Sequence, residues 1–279
     1  MTGPRKGKEE SMGEGNPAGD LVLHEAKDGV AILTLNRPHR LNAWTNELST
    51  RYFDRLEQAD ADPGVRVIVV TGAGRGFTAG ADMDLLQGQA SVGGRADVRP
   101  QTFPLTIRKP LIAAINGPCA GIGMVLALTC DLRFAAAGAK FTTAFARRGL
   151  VAEHGSSWLL PRLVGHAVAL DLLLSGRVFL AEEALTLGLV NRVFAAEALV
   201  AETLAYAREL ATQCSPAAMA EMKHQVYAAY SEDLDAAVAD ANRRMAASFK
   251  RPDFKEGVRS FIEKRPPAFP PLPPKEPSS

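Results

Sequence analysis

The stretch 111–123, LIAAINGPCAGIG, decides the fold when it is read beside 71–82, TGAGRGFTAGAD. Leu111 to Ile115 is an apolar run of strand length that passes straight into a glycine-rich loop, and small and apolar residues from Met124 onward suit a helix. Val65 to Thr71 repeats the opening of that pattern: β-branched residues run without polar interruption, as in a strand buried on both faces, into Gly72, Gly74, Gly76 and Gly80. Two strands therefore feed two glycine loops about forty residues apart.

Outward from this centre, Leu21 to Leu35 alternates around Lys27-Asp28-Gly29 and predicts a β-hairpin. Leu48, Tyr52, Phe53, Leu56 and Ala59 recur at helical spacing between Thr45 and Ala61, and Asp62-Pro63-Gly64 stops them. Asp131 to Ala136 reads as a further strand, and Ser157 to Leu163, His166 to Leu174 and Ala181 to Leu187 read as helices. Longer helices follow over Glu197 to Gln213, Pro216 to Tyr230 and Leu234 to Lys250. The pattern predicts an α/β core with a C-terminal helical subdomain, the change falling near Ser215-Pro216.

The 279 residues are 47% hydrophobic and 23% charged, enough to bury a sizeable core. Lys and Arg total 32 against 31 Asp and Glu, so no overall field gathers nucleic acid or an anionic membrane, and an anionic ligand must be held locally. The apolar runs break well short of the ~20 residues that cross a bilayer, so no membrane span is expected. Residues 1–19 have no apolar run and read as a disordered leader; the end of the proline-rich segment from Pro266 reads as a flexible tail over 271–279. Three cysteines without a CxxC pair argue against a disulfide framework and fit a reducing cytoplasm.

The first loop invites a dinucleotide reading, but Gly72, Gly74 and Gly76 are spaced GxGxG rather than GxGxxG. Loops of this kind leave backbone N–H groups uncovered, and Gly121-Ile122-Gly123 ahead of a helix would aim such groups at an oxygen in front of it. One N–H from each loop on one oxygen would make an oxyanion hole. No HxH or HExxH spacing supports a metal, and Ser156 and Ser157 lack a GxSxG elbow.

Several motifs share one collinear order. Asn36-Arg37-Pro38 comes with Leu41-Asn42-Ala43, and Phe77-Thr78-Ala79-Gly80-Ala81-Asp82 follows. Lys109-Pro110 leads to Asn116-Gly117 and Gly121-Ile122-Gly123, then Cys130-Asp131; Gly176-Arg177, Gly188-Leu189-Val190-Asn191 and Phe261-Ile262-Glu263-Lys264-Arg265 complete the series. From about Leu21 to Phe269 the chain resembles the crotonase (enoyl-CoA hydratase/isomerase) superfamily. The resemblance implies a ClpP-like ββα spiral core, here 20–215, and a helical trimerisation subdomain, 216–270, in a homotrimer or hexamer. It implies an acyl-CoA substrate in fatty acid metabolism and no separate cofactor, coenzyme A being part of the substrate. It makes the N–H groups of Ala81 and Ile122 the oxyanion donors, and brings Phe261 and Lys264 to a neighbouring subunit's coenzyme A. Arg37 and Arg40 are the best local candidates to meet its phosphates.

The chain departs from the family's hydratase pattern where the two water-handling glutamates stand, at Val125 and Phe145. Glu153, eight residues beyond Phe145, falls where dienoyl-CoA isomerases and chlorobenzoyl-CoA dehalogenases keep a catalytic carboxylate. Turned inward, Glu153 would serve as acid and base on the acyl carbons; turned outward, it would be a solvated residue at a helix start. His154 would orient it, act as base, or cap local structure. The expected protein is thus an isomerase or hydratase (a lyase) working through an oxyanion-stabilised enolate. The alternative is a non-catalytic scaffold that binds acyl-CoA.

Overall fold

Asp28 and Gly29 both adopt left-handed backbone (φ 53° and 79°), which a two-residue hairpin turn demands, and they fold β1 (Val22–Lys27) antiparallel onto β2 (Val30–Leu35). The computed structural model describes residues 19–88 and 99–275. The leader expected over 1–19 lies outside these but for Gly19, as do residues 276–279 of the expected tail.

Thr45 starts α1 (Asn46–Ala61) by accepting a hydrogen bond from the Leu48 N–H at 3.1 Å. Its buried face is the periodic set read from the sequence, Leu48, Tyr52, Phe53, Leu56 and Ala59. The helix stops at Asp62, which Pro63 holds out of helical backbone. Two carbonyls near this end, those of Ala59 and Asp62, accept from Lys109 Nζ at 2.7 and 2.6 Å.

The chain then lays β3 (Val67–Gly72) parallel beside β2 and leaves the first glycine loop through the short α2 (Met83–Gly88). β4 (Leu111–Ile115) follows on the far side of β3, and every residue of both strands is buried, as expected of parallel strands covered on two faces. The next elements are β5 (Cys119–Ala120), α3 (Ile122–Leu128), β6 (Leu132–Ala136), β7 (Lys140–Thr142), α4 (Ser156–Val164), α5 (His166–Ser175), β8 (Phe179–Leu180), α6 (Ala181–Thr186), β9 (Arg192–Phe194) and α7 (Leu199–Gln213). They complete a six-stranded sheet of order β1-β2-β3-β4-β6-β9 and a three-stranded sheet β5-β7-β8. α1 packs on β1 and β2, and α7 on β3 and β4, so the larger sheet is a mixed α/β core of the expected class.

The helical third comprises α8 (Pro216–Ala228), capped by Ser215, α9 (Leu234–Ser248), capped by Asp233, and α10 (Pro252–Glu263). Among the described residues no helix is long and apolar enough to cross a membrane. Beyond α10, the proline-rich segment is tied down as far as it is described. Glu256 takes Arg265 Nη1 and Nη2 (2.6 and 2.9 Å) and the Ala268 N–H (2.7 Å). Arg66 donates to the Phe269 carbonyl at 2.7 Å, and Arg108 to that of Pro273 at 2.8 Å.

Candidate functional site

The two glycine loops are stitched to each other backbone to backbone. Thr78 N–H donates to the Pro118 carbonyl at 3.0 Å, and Ala120 N–H donates back to Thr78 at 3.1 Å. The first loop is fastened in turn to the segment before α1: Trp44 N–H donates to Gly80 at 2.8 Å and Asp82 N–H donates to Trp44 at 3.0 Å. Trp44 and Ala81 therefore form an isolated parallel bridge in which Gly80 and Asp82 make both bonds. Ala81 itself makes neither, so its own N–H points away from Trp44.

Gly121 adopts φ 53° and caps α3, which begins at Ile122, two residues earlier than the periodicity predicts. The Ile122 N–H is thus the first of the helix, a donor with no partner inside it. Ala81 and Ile122 line one cavity of about 570 Å3, and the segment Phe145 to His154 forms its opposite wall.

Glu153 and His154 lie in that wall, with His154 Nε2 3.7 Å from Glu153 Oε2 and the two side chains 41% and 32% exposed. Glu153 is therefore partly solvated in the single chain. A tight turn sets its position. His154 and Gly155 are both left-handed (φ 49° and 77°), and Ser156 closes the turn by donating its N–H (2.9 Å) and its hydroxyl (2.7 Å) to the Glu153 carbonyl. A non-glycine residue held left-handed stores some strain, which the doubly bonded carbonyl holds in place.

The two positions that carry glutamates in the hydratase pattern separate here. Phe145 is 4% exposed and lines the cavity, so an apolar ring stands where a carboxylate would handle water. Val125 is 1% exposed within α3 and is not among the lining residues.

Arg37 serves the loop, not the cavity. Its Nη2 meets Asp82 Oδ2 at 3.0 Å and its Nη1 donates to the Ala43 carbonyl at 2.5 Å, both side chains being largely buried. It braces the residue that follows Ala81. Arg40 is exposed on the short turn Pro38–Arg40. Phe261, 86% exposed on α10, and Lys264, the left-handed residue that ends that helix, are not lining residues of the cavity within one chain.

The cavity also gathers residues that spacing did not single out, among them Trp44, Gln101 and Arg148. Trp44 had a sequence signal, since it directly follows the Leu41-Asn42-Ala43 motif. Gln101 and Arg148 had none: one is placed by a bond to Ser49 at 3.1 Å, the other by the turn Ala146–Arg148.

The family described as Enoyl-CoA hydratase/isomerase matches residues 25–271. The 1,2-epoxyphenylacetyl-CoA isomerase of Escherichia coli is 36% identical over 259 residues, covering 90% of this chain and 98% of that protein. An enoyl-CoA hydratase of Alternaria alternata is 35% identical over 249 residues, 87% of this chain and 83% of the relative. Among solved structures, an enoyl-CoA hydratase from Mycobacterium marinum is 55% identical and covers 76% of this chain and 100% of its own, with a TM-score of 0.67. One from Polaromonas sp. JS666 is 31% identical with a TM-score of 0.83, covering 89% of this chain and 99% of its own. These matches run along nearly the whole length, and the chain belongs to the enoyl-CoA hydratase/isomerase family.

Proposed function

We propose that this enzyme binds an acyl-CoA thioester with its carbonyl oxygen between the N–H groups of Ala81 and Ile122, and that Glu153 moves a proton between carbons of the acyl group. The observation that carries this reading is the shared cavity: both N–H-bearing residues and Glu153 line it, and Phe145 stands where the hydratase pattern has a carboxylate. As a proton leaves the carbon next to the thioester, negative charge moves to the carbonyl oxygen, and two fixed donors hold that charge better than they hold the neutral ground state. Each donor contributes ~3 kcal/mol in comparable oxyanion holes. Glu153 takes the proton and returns it to another carbon of the same acyl group, so mass is unchanged; His154, 3.7 Å away, orients the carboxylate. The reaction is an isomerisation, since among the described residues that line the cavity no second carboxylate stands ready to activate water.

Self-association completes the picture. Phe261 and Ile262 (86% and 72% exposed) on α10 and Leu234 (77%) on α9 are large apolar side chains left in solvent by the single chain, which supports a homotrimer or hexamer with the helical third as its contact. In that assembly Phe261 and Lys264 meet the coenzyme A of a neighbour, and Arg40 meets its phosphates. Three free cysteines, Cys119, Cys130 and Cys214, support a cytoplasmic setting.

The test is incubation of purified protein with 2-enoyl-, 3-enoyl- and dienoyl-CoA thioesters, followed by mass and ultraviolet absorbance. A spectral change at constant mass is expected. A gain of water would replace isomerisation by hydration, and tight binding with neither change would leave an acyl-CoA-binding scaffold.

A further inference from the structure

A second cavity, of about 430 Å3, lies at the other end of α3 from Ile122 and shares no lining residue with the first. Its walls are apolar, built from Leu128, Leu159, Leu163, Met222 and Val226, and in the single chain it opens to the surface where Met222 and Val226 of α8 are 61% and 57% exposed. Against these walls stands one buried cation. Arg133, 4% exposed, donates Nε to the Leu189 carbonyl (2.7 Å) and Nη1 to those of Cys130 (2.6 Å) and Ala127 (3.4 Å). Its Nη2 has no acceptor among the described residues, and no carboxylate among them forms an ion pair with it.

Among the described residues, the one carboxylate that lines the cavity is already engaged. Asp131 accepts from Lys223 Nζ (2.7 Å), the Tyr227 hydroxyl (3.0 Å) and the Leu111 N–H (2.7 Å). Lys223 cancels its charge, so the lining carries two cations against one anion, an excess of one positive charge. Burial pulls Arg133 below the ordinary arginine value, as befits a cation short of counter-charge. A buried charge is stable when paired, and an apolar cavity is filled best by apolar atoms.

We propose that this cavity is a second ligand site, apart from the candidate active site, which takes one monocarboxylate with an apolar tail, the carboxylate against Nη2 of Arg133 and the tail along the leucines towards Met222 and Val226. A single negative charge balances the lining, whereas a phosphate dianion would overshoot it and would leave the apolar walls unused.

Isothermal titration calorimetry with decanoate tests this, with decanol and decyltrimethylammonium as neutral and cationic probes of the same tail. One decanoate per chain is expected, with the other two probes at least tenfold weaker. Val226→Trp, which fills the opening from an exposed helix position, and Arg133→Met are each expected to weaken decanoate at least tenfold; Phe145→Trp, which narrows the first cavity, leaves it unchanged. If Arg133→Met does not fold, Val226→Trp and the probe comparison decide. The proposal is overturned by the absence of saturable decanoate binding, by decanol binding equally well, by indifference to Val226→Trp, or by loss of binding in Phe145→Trp.

Discussion

A Cβ atom on Gly123 would lie 2.6 Å from both the carbonyl oxygen and the Cγ2 of Thr78, so these two residues set how closely the second glycine loop lies against the first. That distance also sets where the Ile122 and Ala81 N–H groups stand relative to each other. Gly123→Ala is expected to lower stability by about 1–3 kcal/mol, as overpacking does, and to cut turnover further than the loss of fold explains. Thermal melting beside steady-state kinetics checks this. Thr78→Ser in the same protein removes Cγ2 but keeps the carbonyl, so recovery in the double variant should be only partial.

Glu153→Gln keeps the shape of the side chain and removes its proton chemistry. Turnover of a responsive acyl-CoA is expected to fall about 10²–10⁴-fold, the usual worth of a positioned acid or base, with thioester affinity retained. Equal turnover in the variant would take Glu153 out of the reaction.

Lys109 is buried, and desolvation lowers its pKa from 10.5 to about 8 despite the nearby Asp60 and Asp62. Between about 8 and 10.5 the unfolded chain then binds more protons at this site than the folded one, so the Lys109 contribution to stability rises with pH across that window. The neutral amine still has two hydrogens for the Ala59 and Asp62 carbonyls. Urea midpoints of the native protein and of Lys109→Met at pH 7.5 to 10, roughly the window of the shift, should diverge in favour of the native protein as pH rises.

Cys119 and Cys130 are fully buried, and burial pushes both thiols up, that of Cys130 to about 12. Cys214 is only partly buried. Iodoacetamide at neutral pH should therefore label Cys214 first, and the other two only in denaturant, since the thiolate is the reactive form. Peptide mass mapping after timed labelling reads this directly; early labelling of Cys130 would mean that the reagent reaches it through the cavity beside Arg133.

Features written into short-range chemistry were legible in the sequence. The hairpin at Asp28-Gly29 and the apolar stripe of α1 each depend on residues within a few positions of one another, and both fall where expected. The parallel strands β3 and β4 were legible because burial on two faces leaves them no charged residue and a single polar one, Thr71, whose hydroxyl donates to the Ala114 carbonyl. β5, β7, β8 and β9 were not, since two or three residues hold no period and exist only through partners such as Phe141 opposite Phe179. At the site, Ala81, Ile122, Glu153 and His154 were singled out and line one cavity. Arg37 looked like a free cation because nothing local reveals that Asp82, 45 residues on, holds it. Arg133 carried no signal, as its charge matters only once α8 closes over it.

The fastening of residues 269 and 273 also bears on how the chain comes to be folded during synthesis. Arg66, at the threshold of β3, waits for a carbonyl 203 positions later, and Arg108, just ahead of β4, for one 165 positions later. Contacts of such long range close late and slow the whole process. β3 and β4 therefore leave the exit tunnel well before these fastenings, and until then water serves Arg108 and the second of the two bonds of Arg66. The final latch shuts only after residues 269 and 273 have left the exit tunnel, later than the strands they fasten.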